Sequence, residues 1–284
     1  MKKLMLVCLL IGILLGATGG YTYFTLTENR PIIIWPTYNR EGAYKYLVSS
    51  YNSTLGLCYE YSGSNTYWLT NDNVLASYAL QNWNRTVADN ISETVKRLAE
   101  EYSLTTSPIG IPLNTRAEIL LGYIVKSLNE TEGVTLASYH GSTINADVAT
   151  NSVIPESLLE NYSDLLCYAS LNEWRKQNNS GASYYYEKAK AMWDGKGFND
   201  TATKHNGFYA TYKLGLFYLT SKTLGKKFDF EKDIIDRFSQ CQLINGGFVT
   251  DYYGNGSYPS GAKTNTETTS IMLLADIPFI FVYY

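Results

Sequence analysis

Acidic side chains stand in the loops ahead of several apolar helices, and aromatic residues accompany them. Asp251, Tyr252 and Tyr253 follow the pair Gly246-Gly247, and Glu267 lies in a threonine-rich run just before the apolar residues 271–275. Glu60 precedes Tyr67 and Trp68, and Asp72 sits between Asn71 and Asn73 ahead of VLASYALQNW. Asp200 and His205 follow Gly197-Phe198 and precede FYATYKLGLFYL. Carboxylates among aromatic faces suit a sugar, because rings stack on its C–H face while acids bind its hydroxyls. Cleaving a glycosidic bond takes two carboxyl groups, one of raised pKa, about 5–5.5 Å apart for retention or about 6.5–9.5 Å for inversion. Asp72 and Glu267 are the pair best suited to that work.

Each of these residues also has a structural reading. Asp72 and its asparagine neighbours fit a helix cap, and Glu267 in a first helical turn suits the macrodipole. Glu60, Asp200 and Asp251 fit acceptors for loop backbone. Other chemistries lack their residues. His140 and His205 are the only histidines, and no Walker A, HExxH, GxSxG or Cys/His metal spacing occurs. No metal or cofactor is expected. A net charge of −3 without basic clusters argues against nucleic acid.

The compartment is read from the first residues. Lys2-Lys3 precede an apolar run to about Gly20 and the aromatic group 21–24. Residues 1–24 fit either a cleaved signal peptide or an uncleaved membrane anchor. Residues 25–40, broken by Pro31 and Pro36, form a linker, leaving 41–284 as one extracytoplasmic domain. Asn-x-Ser/Thr sequons at Asn52, Asn84, Asn90, Asn129, Asn161, Asn178, Asn199 and Asn255 point the same way, as N-glycosylation acceptors on a secreted or tethered chain. Of the cysteines beyond Cys8, Cys58 and Cys241 both lie just before glycine loops and are the favoured disulfide, leaving Cys167 in an apolar helix.

Several elements must position these residues. Apolar spacing predicts helices over 41–51, 74–83, 86–102, 155–177, 182–193, 208–225 and 229–242, with Thr86 and Asp89 imitating a capping box. Asn71-Asp72-Asn73 is expected to cap the second of these. Residues 118–127 and 133–140 read as strands across a turn at 129–133, in a β excursion over 105–150. The last residues, IPFIFVYY, also read as a strand.

Gly56-Leu57…Glu60, Gly197-Phe198…Asp200 and Gly247-Phe248…Asp251 share one plan: glycine, large apolar residue, acid, polar gap, then a buried helix. The second and third start 50 residues apart, and the first precedes the second by 141. Repeats of this length signal hairpins that stack to bury their apolar faces. The segments GGFVTDY…TNTETTSIMLLA and YWLTNDNVLASYAL resemble the loop-then-inner-helix units of the α/α-toroid proteins: six-hairpin glycosidases, polysaccharide lyases and terpenoid cyclases.

The resemblance implies a mainly α fold, a complete or incomplete α/α toroid. Glu60, Tyr67, Trp68, Asp72, Asp200, His205, Asp251, Tyr252, Tyr253 and Glu267 would then ring one cleft. The expected function is a carbohydrate-active protein, a glycoside hydrolase or lyase. Its partners would be carbohydrate and, if residues 1–24 stay uncut, the membrane. The alternative is a non-catalytic cell-surface glycoprotein or glycan-binding module.

Overall fold

In the computed structural model, residues 38–106, 112, 114–139 and 141–276 are described. They belong to one compact unit, Pro36–Tyr284. The leader expected at 1–24, the expected linker as far as residue 37, His140 and the strand expected at 277–284 lie outside the described residues.

Helix α1 (Arg40–Ser49) starts where Asn39 accepts from the Gly42 N–H. A small hairpin follows, β1 (Tyr51–Asn52) with β2 (Leu57–Cys58), and then β3 (Thr66–Trp68). The chain next makes a π-helical turn, Leu69–Val74, that runs into α2 (Leu75–Leu80). Helix α3 (Arg85–Glu101) carries Ile91, Val95 and Leu98 as its buried stripe. Its cap is Asn84, which accepts from the Val87 N–H, so the Thr86–Asp89 box is not used. The Asn side chain reaches the free amides two positions earlier than Thr86 would.

Region 105–150 contains both a helix and strands. Asn114 accepts from the Ala117 N–H and starts α4 (Thr115–Leu120), so the strand expected at 118–127 is in part a helix. The side-chain cap outweighs the β-branched composition. Two long strands follow, β4 (Asn129–Tyr139) and β5 (Ser142–Val153), paired antiparallel, with β3 added parallel to β5. The stretch 129–133 is therefore strand rather than turn.

The helix expected over 155–177 is broken into α5 (Glu156–Leu159) and α6 (Ser163–Arg175). The break fixes Asp164 in the first turn of α6. Helix α7 (Asn179–Lys190) returns antiparallel-fashion through the cap Asn178. Short α8 (Thr201–Asn206) and β6 (Tyr209–Ala210) lead into α9 (Thr211–Leu224), buried along most of its length. Then come α10 (Glu231–Cys241), β7 (Phe248–Val249), β8 (Asp251–Tyr252), β9 (Thr264–Asn265) and α11 (Thr266–Asp276). β6 pairs with β8, and β7 with β9.

The fold class expected from sequence does not hold. The described residues are about 50% helix and 19% strand, with four small sheets. They form a mixed α/β fold, and no toroid is shown. The β4–β5 hairpin falls mostly where a β excursion was expected, and three further strand pairs, β1–β2, β6–β8 and β7–β9, join segments between the helices. The core is continuous all the same: α9 packs against α6, α10 and α11, and α11 against α1 and α2.

The expected disulfide is also absent. Cys58, Cys167 and Cys241 are buried free thiols. Cys58 lies near Asp72 and donates to the Leu47 carbonyl at 3.5 Å, whereas Cys241 ends α10 near Tyr252 and Arg237. The two glycine loops match in sequence but deliver their cysteines to different surroundings.

Candidate active site

The π-helical turn is pinned on three sides. The Asn73 Oδ1 accepts from the Cys58 N–H (2.6 Å), and its Nδ2 donates to the carbonyls of Cys58 (3.0 Å) and Trp68 (2.7 Å). The Thr70 hydroxyl accepts from the Asp147 N–H of β5 (2.9 Å). Asn71 bridges two elements: its Oδ1 accepts from Asn114 (2.8 Å) and its Nδ2 donates to the Asp147 carboxylate (3.0 Å). Wide turns of this kind often mark functional sites, because they re-aim side chains within a helix. Asp72 is therefore not the helix cap that its neighbours suggested: it is buried, and its Oδ2 has no hydrogen-bond partner.

The start of α11 is held by the threonines of the polar run. The Thr266 N–H donates to the Glu60 carbonyl (2.9 Å) and its hydroxyl to the Tyr59 carbonyl (2.6 Å). Thr269 Oγ1 accepts from the Phe248 N–H (3.0 Å), and Asn265 caps the helix by accepting from the Thr268 N–H (2.8 Å). This ties the Glu60 loop to the first turn of α11, where Glu267 projects.

Glu267 lines a polar cavity of about 180 Å³, together with Asn71, Arg116, Asp164, Tyr168 and Tyr212. These side chains come from α11, the π turn, α4, α6 and α9, most of them from the first turn of their element. A second cavity of about 470 Å³ adjoins it and shares Arg116, Asp164 and Tyr212. Asp164 is held from α9: Tyr212 donates to its Oδ2 (2.9 Å), and the Lys213 ammonium lies 3.5 Å from its Oδ1.

Burial and negative neighbours shape the proton affinities here. Burial, then Asp147, Asp164 and Glu60, push the Glu267 carboxyl up to about 7, against the pull of Arg116. Asp72 is raised well above the carboxylate range by burial, then by Glu267, Glu60 and Asp147. Glu60 and Asp147 are also raised by burial, offset at Glu60 by a hydrogen bond from Trp68 and at Asp147 by Arg116. Tyr168 and Tyr212 are held well above the phenol range by burial and nearby carboxylates.

Of the residues picked from sequence, the fold therefore brings Glu60, Trp68, Asp72 and Glu267 into one neighbourhood. Only Glu267 of these four lines the cavity. The others are placed elsewhere. Asp200 caps α8, accepts from Ser163 and pairs with the buried Lys213, which holds its carboxyl below the usual range against the effect of burial. Asp251, on β8, is raised by burial and eased by Lys213. Tyr67 is buried and accepts from Asn52, and Tyr252 is buried with its hydroxyl donating to the Lys196 carbonyl. His205 is exposed in α8, and Tyr253 is exposed against Phe208.

Arg116, Asp147, Asp164, Tyr168 and Tyr212 escaped sequence reasoning. One signal was present: Lys213 is a lone cation in the apolar run FYATYKLGLFYL, and a buried cation demands carboxylate partners. Among the described residues no group of three or more His, Cys, Asp or Glu side chains is arranged to hold a metal ion. No described helix is long and apolar enough to cross a membrane. No protein family, curated protein or solved structure matches the chain.

Proposed function

We propose that the protein is a carbohydrate-active enzyme, a glycoside hydrolase with Glu267 as general acid and Asp164 as the opposing carboxylate. One observation carries this reading: a carboxyl group with a pKa of about 7 faces a polar cavity that also presents a second carboxylate. An acid of that pKa is protonated often enough near neutrality to donate, and loses its proton readily. Glu267 would protonate the leaving oxygen as the glycosidic C–O bond breaks, with the bonding pair passing to that oxygen. Asp164, kept in place by Tyr212 and Lys213, would face the anomeric carbon or the water that attacks it. Elimination is less well served: Tyr168 and Tyr212 hold their protons too firmly to act as phenolate bases.

The same reading places the protein outside the cytoplasm, on the strength of its leader and sequons. Asn90, Asn161, Asn178 and Asn255 are exposed. Asn52, Asn84, Asn129 and Asn199 are half-buried, and the side chains of the first three are already hydrogen-bonded within the fold.

Release of reducing ends from an oligosaccharide panel tests the assignment. Glu267→Gln and Asp164→Asn should each lower the rate by about 10²–10⁴ while leaving the melting temperature within a few degrees of wild type. Full activity in Glu267→Gln sinks the acid assignment. The absence of any turnover by the wild type favours the non-catalytic glycan-binding alternative.

A further inference from the structure

Arg116 differs from Lys213 and Arg40. Lys213 is paired with Asp164 and Asp200, and Arg40 with Asp276. Arg116 lines both adjoining cavities, yet among the described residues its guanidinium makes no hydrogen bond or ion pair, and its Nε is shut off from solvent without a partner. It is close enough to Glu267 and Asp147 to ease their ionisation without binding either. A guanidinium presents a planar fork of donors matched to a carboxylate, and leaving it unmet in a recess costs free energy that a bound anion recovers.

We infer that Arg116 receives the carboxylate of a uronate-type sugar, so that the substrate of the proposed hydrolase is an acidic glycan. The inference rests on the reading of Glu267 as the acid. It adds that one sugar is oriented by a charge-assisted, two-pronged contact where the cavities meet. The cavity volumes of about 180 and 470 Å³ leave room for one ring beside Glu267 and further sugar units in the wider space. Asn71 and Tyr168 offer hydrogen-bonding groups to the ring hydroxyls.

The test is calorimetric titration of the full-length protein with glucuronate, galacturonate, glucose and glucose 6-sulfate. Wild type should bind a uronate at least about tenfold more tightly than glucose. Arg116→Gln should erase that preference, and Arg116→Lys, which keeps the charge beside Glu267 and Asp147 and so protects the fold, should weaken uronate binding by about tenfold. Unchanged uronate affinity in Arg116→Lys and Arg116→Gln overturns the inference, as does glucose binding equal to that of both uronates. Tighter binding of glucose 6-sulfate than of either uronate overturns the choice of carboxylate. Arg116-dependent uronate binding without cleavage of any acidic glycan leaves the inference intact and defeats the hydrolase reading. Cleavage of acidic glycans at the wild-type rate by Arg116→Gln does the reverse.

Discussion

At the scale of residues, Glu267 and Asp72 are two carboxyls in one acidic neighbourhood with different tasks. Glu267 faces the cavity, while Asp72 is buried beside it, with burial and the neighbouring carboxylates raising its proton affinity well above the usual range. An amide is close to a protonated acid in shape and charge, so Asp72→Asn should keep glycan-cleaving activity within a few-fold of wild type, read by the reducing-end assay. Glu267 also couples folding to pH. Its folded carboxyl titrates at about 7, against about 4.3 when unfolded, so between these values the folded chain holds a proton that the unfolded chain has lost. The stability from this proton is full below about pH 4 and is lost as pH rises through 7. The Gln variant lacks that loss. At pH 8 it should be more stable than wild type, by on the order of 1–3 kcal/mol after allowance for partial solvent screening. Urea midpoints at pH 5 and pH 8 would show the gap widening with pH; a constant gap would refute the coupling. Catalysis should have the same sign, with kcat falling on the alkaline side as the acid loses its proton.

At the scale of elements, short polar side chains decide where helices start, and those starts aim the functional groups. Asn114 makes a helix of a segment whose composition suggests a strand, and so directs Arg116 to the cavity. The interruption between α5 and α6 puts Asp164 in a first turn instead of mid-helix. The recurrent glycine–apolar–acid plan turns out to be three local solutions. Leu57, Phe198 and Phe248 are all buried, but Glu60 borders the acidic cluster, Asp200 neutralises Lys213, and Asp251 lies in β8 opposite Ala210 of β6. The Gly246-Gly247 pair has its own cause. Gly246 has φ +89°, and a Cβ there would lie 2.1 Å from the Gly42 carbonyl oxygen; a Cβ on Gly247 would meet Thr264 at 2.7 Å and the Tyr46 ring at 2.8 Å. Gly246→Ala should therefore cost at least about 2 kcal/mol, because neither the backbone angle nor the neighbouring carbonyl can yield cheaply. A chemical-denaturation curve within about 0.5 kcal/mol of wild type would contradict that close approach.

At the scale of the whole molecule, the three thiols of the described body give a direct check on the fold. Cys58, Cys167 and Cys241 are buried, and burial pushes each thiol's pKa up. In the native protein a thiol reagent should leave all three unlabelled, as read by peptide mapping. All should react in denaturant without prior reduction, and a reductant should leave the melting temperature unchanged. Recovery of a Cys58–Cys241 disulfide peptide would contradict the free thiol state of both residues.

The sequence alone determined most of what depends on near neighbours along the chain. The helices around residues 41–49, 86–101, 163–175, 211–224 and 231–241 follow from apolar spacing, and Glu267 stood out as an acid at a helix start. Local pattern failed where a distant partner or a short cap outweighed it: in the extent and pairing of the β4–β5 hairpin, in α4 and in the supposed cysteine pair. Only the tertiary structure decided that Glu267 faces Arg116 and Asp164, that Asp200 serves Lys213, and that Asp72 lies buried off the cavity wall. The physical reason is that proton affinity and ligand access depend on dielectric and on charges brought close in space. The residues that set them, from 60 to 267, are joined by no regular spacing along the chain.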